Sequence, residues 1–168
     1  MAFKESTSIA HAPADVFEAL VGEEFNRKAT EGLGGELSAF ERQGELSGPV
    51  SVTMLRTVPV HRLPESVQKF AGKFLGERLN VEQQENWSAP AADGSRTGQV
   101  VLTVSAVKAT ATAEQRLVPN GSGTEVQMDG YVECRIPLVG AKLAQAAEPR
   151  IGRVLARQAR EVSAWLAG

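Results

Sequence analysis

Seven short stretches in which apolar and polar residues alternate lead into Ile136-Pro137-Leu138-Val139-Gly140-Ala141-Lys142-Leu143, and from there a helical period holds almost to Gly168. Alternation with period two puts every second side chain on one face of a sheet, so each stretch offers an apolar face that water disfavours. A long amphipathic segment at the end of the chain is the natural cover for such a face. The order predicts an α+β fold in which an antiparallel sheet packs on a C-terminal helix.

Ala2 to Ala10 alternates Phe3, Glu5, Thr7 and Ile9 against Ala2, Lys4, Ser6 and Ser8, then stops at His11-Ala12-Pro13, which predicts a strand. Pro13 suits the first position of a helix because its φ is already set and no needed N–H is lost; Val16, Phe17 and Leu20 follow at helical spacing up to Gly22. A second brief helix is expected over Glu23 to Thr30, ended by the sharp turn Gly32-Leu33-Gly34-Gly35. Glu36 to Gln43 and Val50 to Val58 flank the Gly- and Pro-bearing segment Gly44 to Pro49 and read as a hairpin, with Val50, Val52, Met54 and Val58 on one face. From Pro64 to Leu75 the period changes, since Val67, Phe70, Ala71 and Phe74 fall at helical spacing, which predicts a helical insertion.

Leu79 to Ser88 resumes the alternation, with Leu79, Val81, Gln83, Glu85 and Trp87 on one face. As one strand, Thr97 to Val118 would span roughly 70 Å at about 3.3 Å per residue, too far for a domain of this size, so it must fold back. The reversal is placed near Ser105 to Ala109, where no Gly, Pro or Asn marks it. After the turn Pro119-Asn120-Gly121-Ser122-Gly123, Val126, Met128, Gly130, Val132, Cys134 and Ile136 alternate with polar neighbours in a final strand. Beyond Pro137, Ile151, Val154, Leu155, Val162, Trp165 and Leu166 share one stripe of a helix, opposite Arg150, Arg153, Arg157 and Arg160. Pro149 removes a backbone hydrogen bond there and predicts a kink or break near Gln145 to Glu148.

At 168 residues the chain is expected to form one domain burying roughly 70% of its unfolded surface. A net charge of -2 gives no global basic field, so nucleic acid is not an expected partner. Cys134 stands alone and cannot form an intrachain disulfide, and the first residues lack an apolar signal core. Together these features point to the cytoplasm.

His11-Ala12-Pro13-Ala14-Asp15-Val16-Phe17 resembles the strand-to-helix entry of the START and Bet v 1-like superfamily, also described as polyketide cyclase-like. The run from Ile136 to Leu143 is similar to the last strand-to-helix passage of an actinobacterial domain-of-unknown-function branch within it, and this is the more specific of the two motifs. That branch tends to carry a second glycine and an acidic residue after this run. Here Ala141 and Ala144 stand instead, so no role for such a carboxylate carries over. The resemblance extends over nearly the whole chain and implies a helix-grip fold: a curved antiparallel sheet of about seven strands wrapped around a long C-terminal helix, two short helices after the first strand, and an apolar cavity between sheet and helix. Such folds host lipid carriers, hormone receptors, cyclases and co-chaperones, so function has to be argued from residues.

If the sheet curls around the last helix, its inward faces present Val52, Met54, Val81, Trp87, Met128, Val132 and Cys134, with Phe17 and Leu143 contributed by the helices. Ala111 and Ala113 are too short to reach across a wide concave sheet, which favours unfilled volume. The competing reading has Phe17, Phe70 or the C-terminal helix filling that space. Arg56 and Glu85 interrupt apolar faces; a salt bridge or a rim position is the plainer reading and the more expected one, and against it stands a placement of both inside, the arginine as a candidate holder of a ligand carboxylate and the glutamate as a candidate general acid or partner for a ligand hydroxyl. His11 and His61 have no local Ser, Cys or Asp partner, and two distant histidines with one cysteine do not make a zinc site.

No metal or cofactor is therefore expected. Binding or carriage of a hydrophobic, lipid-like or polyketide-like small molecule is the expected function. A cyclase- or aromatase-type enzyme and a protein-interaction module using the arginine stripe are the alternatives. Lys69 and Lys73 beside Phe70 and Phe74 leave transient membrane contact open, and oligomeric state is undetermined.

Overall fold

The structure, a computed structural model, describes residues 2–62, 65, 68, 69 and 76–168, with the backbone alone at 147–149 and 151. Strand β1 (Ala2–Ile9) leads through helices α1 (Pro13–Leu20) and α2 (Glu23–Glu31) into β2 (Glu36–Gln43) and β3 (Val50–Pro59). After these come β4 (Arg78–Trp87), β5 (Arg96–Val104), β6 (Ala109–Asn120), β7 (Gly123–Cys134) and the long helix α3 (Gly140–Leu166). All neighbouring strands are antiparallel, in the order β1-β7-β6-β5-β4-β3-β2. This is the curved helix-grip architecture that the sequence predicts. The helical insertion expected at Pro64 to Leu75 lies outside the described residues except for Glu65, Gln68 and Lys69, which are helical.

The topology fixes the covering of the sheet. Strands β1 and β2 occupy opposite edges, so α1 and α2, which join them, must cross its width. Helix α3 leaves β7 beside the β1 edge and lies mainly on β1 and β7, with its far end reaching α1 and α2. Pro13 opens α1 at its first turn, as its fixed φ allows.

The awkward stretch after Thr97 reverses at a 3-10 turn over Ser105–Val107, inside the predicted interval. Lys108 supplies the left-handed residue at φ 49°, a conformation usually left to Gly or Asn, which is why no turn residue marks the site.

Packing is densest where α1 meets the sheet. Val16, Phe17, Leu117, Val126 and Val162 are each 1% exposed or less. The Phe17 ring meets Trp87 edge-on at 5.3 Å, and the Arg96 guanidinium stacks 3.7 Å from the Phe17 centroid. Arg96 also donates to the carbonyls of Gly48 and Ser88 at 3.0 Å and to that of Leu46, so one buried cation ties the β2–β3 turn to β5. On α2, Phe25 packs edge-on against Trp165 at 5.9 Å and Lys28 Nζ lies 5.2 Å from the same indole.

Two expectations for the last helix are narrowed. Of the kink or break expected near Gln145 to Glu148, the break does not occur: the helix continues through Pro149 from Gly140 to Leu166. Its buried line is narrower than the predicted stripe: Leu155, Ala159 and Val162 face the core, while Val154 is 66% and Trp165 38% exposed. The reason is the narrow seam along which α3 meets β1 and β7; Val154, about 100° around the helix from Leu155, clears it. Arg150, Arg153 and Arg160 are exposed as expected, and Arg157 pairs with Glu161 at 2.8 Å.

Gly98 sits opposite Trp87 in the β4–β5 pairing, and a Cβ there would stand 2.5 Å from the indole Cδ2. The indole is held by Phe17 and cannot swing aside. Gly98→Ala is expected to destabilise the fold by about 1–3 kcal/mol through overpacking, read from urea unfolding midpoints at unchanged slope.

Candidate functional site

The alternation of β3 and β4 places Val52, Met54 and Arg56 on the same face as Val81, Gln83, Glu85 and Trp87, and the register sets Val52 opposite Glu85, Met54 opposite Gln83 and Arg56 opposite Val81. This face turns toward the helices, as the 1% exposure of Val52 and Met54 shows. Polar side chains therefore enter an apolar interior, and they are found bonded to one another.

Trp87 Nε1 donates to Glu85 Oε1 at 2.7 Å, while Gln83 Nε2 donates to Glu85 Oε2. Arg56 Nη1 donates to Gln83 Oε1 at 2.6 Å and Nη2 to Asn26 Oδ1 at 2.8 Å. Asn26 in turn donates to the carbonyls of Leu20 and Gly22 at 2.9 and 2.8 Å, so the chain of bonds ends on the α1–α2 junction. Gln83 thus stands between the two charges, its oxygen toward the cation and its nitrogen toward the anion. Arg56 Nε and, further along the sheet, Gln115 Nε2 are buried donors with no hydrogen-bond partner among the described residues.

Burial dominates the electrostatics. It raises the Glu85 carboxyl above its ordinary value of 4.5, a rise opposed by the hydrogen bonds from Trp87 and Gln83 and by the Arg56 charge. Burial likewise lowers Arg56, against the favourable charges of Glu85 and of Glu161 on α3. Glu85 is buried at 5% exposure, while Arg56 is half-buried with its Nε atom covered.

The other predicted site residues divide by packing. Phe17, Val52, Met54 and Trp87 belong to the main hydrophobic cluster. Ala111, Ala113, Met128 and Val132 group with Phe3 and with Ala144 of α3, and Cys134 and Leu143 join a third small group around Ile136. Cys134 Sγ reaches the Val107 carbonyl at 3.1 Å. Val81, Ala111, Met128 and Cys134 keep partial exposure on the inward face, unlike the sealed Phe17 end.

Sequence reasoning missed Asn26 and Arg96. Asn26 stands in a strongly charged helix, and Arg96 at the end of a turn-rich loop, so neither broke an apolar pattern. Gln83 and Gln115 share alternating faces with Glu85 and Ala113, a signal that could have found them. Among the described residues, no group of three His, Cys, Asp or Glu is placed to hold a metal ion, and no helix is long and apolar enough to cross a membrane.

A seven-stranded antiparallel sheet gripping a C-terminal helix is the START/Bet v 1-like helix-grip fold. The chain belongs to the family described as Protein of unknown function (DUF2505), which matches residues 4–166. It is 24% identical over 121 residues, 71% of this chain and 67% of the relative, to the uncharacterized protein Rv0481c of Mycobacterium tuberculosis. Among solved structures it is similar to the STAR-related lipid transfer protein (fragment 25-204) of Xanthomonas axonopodis, with a TM-score of 0.57 and 15% identity over 99% of this chain and 86% of that one. It is also similar to the Zhui aromatase/cyclase of Streptomyces sp. R1128, with a TM-score of 0.56 and 12% identity over 98% and 92% of the two chains. At these identities the likeness is one of fold.

Since burial favours protonated Glu85 in the folded state, its contribution to stability is full below the ordinary glutamate value of 4.5 and is lost as pH rises through the raised folded value. Glu85→Gln cannot lose it. The melting temperature of the native protein relative to the Gln variant is therefore expected to fall as pH is raised above 4.5, followed by thermal unfolding at matched ionic strength.

Proposed function

We propose that this protein binds a hydrophobic small molecule between the inward face of the sheet and α3, with the Arg56–Gln83–Glu85 chain orienting a polar group of the ligand. The observation that carries this reading is a bonded polar chain set into an apolar face, ending in a buried Arg56 Nε without an acceptor. A buried donor left unbonded costs free energy comparable to a lost hydrogen bond, and a ligand oxygen would remove that cost. The small side chains Ala111 and Ala113 and the partial exposure of Val81, Met128 and Cys134 support room for an apolar body on the same face. Phe17, Val52, Met54 and Trp87 then form the floor, with Val132 and Leu143 at the side nearer α3.

Lipid-like and polyketide-like molecules both answer this description: mostly apolar, with one or two oxygens. A lipid transfer protein and an aromatase/cyclase among the structural neighbours are compatible with either.

The test uses fluorescent fatty-acid and steroid probes, native mass spectrometry of the recombinant protein, and a Trp165→Phe background in which Trp87 is the one indole left of two. Saturable probe binding with quenching of Trp87 is expected. Ala111→Phe should fill the space and weaken probe binding at least about tenfold while the protein still unfolds cooperatively. Absence of any co-purifying molecule together with no saturable probe binding rules the reading out.

The raised carboxyl of Glu85 favours one second reading, a cyclase-type enzyme in which that group donates a proton. Here Glu85→Gln should keep ligand binding within about twofold and lower turnover at least about a hundredfold. Equal loss of both would assign Glu85 to binding alone.

A further inference from the structure

We propose that the bound molecule is an elongated chain with an oxygen at each end, and that Gln115 is the specificity residue that accepts only an uncharged oxygen at the inner end. This rests on the reading above, that a hydrophobic small molecule lies between the sheet and α3. Gln115 is 4% exposed, and its Nε2 is buried with no acceptor. Among the described residues, the one other buried side-chain atom left in this way is Arg56 Nε. Folded proteins bond nearly all their buried polar groups, so each exception calls for a cause. Both exceptions fall on the face of the sheet that the helices cover, Arg56 in line with Val52 and Met54, Gln115 in line with Ala113 and Leu117.

The strand register sets their separation. Val50, Trp87, Gly98, Gln115, Met128 and Glu5 are successive partners across the sheet from β3 to β1, and Arg56 lies six residues along β3 from Val50. At about 3.3 Å per residue and about 4.8 Å per strand, the two backbones are roughly 20 Å apart along the strands and roughly 14 Å apart across them. A span of that size fits an extended chain.

The two ends differ in charge. Arg56 is a half-buried cation, and Val81 opposite it is also half-buried, so an anionic head suits this end. Gln115 is a neutral donor set against the tightly packed part of the core: the Trp87 indole covers Gly98, its partner on β5, and Leu117 beside it is fully buried. In the same row Glu5 holds its carboxyl group against α3, where a Cβ on Gly152 would stand 2.9 Å from Oε2. Arg96, in the next row, is engaged with Phe17 and with the carbonyls of Leu46, Gly48 and Ser88. A carboxylate brought to Gln115 would therefore meet burial and a like charge. A hydroxyl or carbonyl oxygen meets neither penalty and takes the free N–H.

The experiment compares palmitate with ω-hydroxypalmitate, equal in chain length and different in the terminal hydroxyl, by displacement of a fluorescent fatty acid from the native protein and from Gln115→Met. The native protein is expected to bind the hydroxy acid at least about tenfold more tightly. In Gln115→Met, similar in length but without the donor, the difference should fall below about twofold. Without ligand, Gln115→Met should melt no lower than the native protein, because an unbonded buried donor has been removed. Equal binding of the two acids by the native protein overturns the proposal and leaves the binding function standing, as does a preference that survives in Gln115→Met. A lowered melting temperature overturns it by showing that the amide is bonded within the fold. Absence of saturable binding of any fatty-acid or steroid probe marks failure of the underlying reading, and the proposal falls with it.

Discussion

Placing Arg56 and Glu85 in the interior is the constraint around which the rest of the molecule is arranged. Two opposite charges taken out of water are each expensive, and their attraction offsets that cost only when their remaining hydrogen-bonding capacity is met. Here Gln83 joins them, Trp87 covers one carboxylate oxygen and Asn26 takes one guanidinium nitrogen. Because Asn26 also holds the carbonyls at the α1–α2 junction, the same bonds that satisfy the charges fix how the helices cross the sheet. A buried pair of charges is weak evidence of stabilisation, since apolar residues of similar volume often serve as well; the proposed function gives these charges the task of meeting a ligand.

Packing is distributed unevenly around that chain. On one side, Phe17, Trp87 and Arg96 form a sealed stack in which even Gly98 is dictated by the indole above it. On the other, β6 offers Ala109, Ala111 and Ala113, and α3 meets the sheet through small residues such as Ala144. Small side chains bring the helix backbone close along one seam and leave short reach away from it. The gradient from large to small residues separates a part of the inward face packed with bulky side chains from a part lined by short ones.

Membership of a family of unknown function and likeness to lipid transfer and cyclase structures agree on architecture and leave the chemistry to the residues. Ala144, on the last helix, is buried against Phe3, Ala113 and Val132. A carboxylate would not suit that contact, and the buried acid of this chain stands elsewhere, at Glu85.

From the sequence alone came the strands, the two short helices, the long tail and even the unmarked reversal near Ser105, because period-two and helical patterns are local and a strand longer than the domain must turn. Arg56 and Glu85 were legible for the same reason: each breaks an apolar face. What the sequence did not carry is which polar groups meet. Asn26 and Gln83 lie 57 residues apart in number yet share one arginine, since β3 pairs with β4 while α2 crosses above both. The exposure of Val154 and Leu138, the need for Gly98 and the anchoring by Arg96 were likewise decided by tertiary packing. Periodicity reports which way a side chain faces; only the folded chain determines what, if anything, lies opposite it.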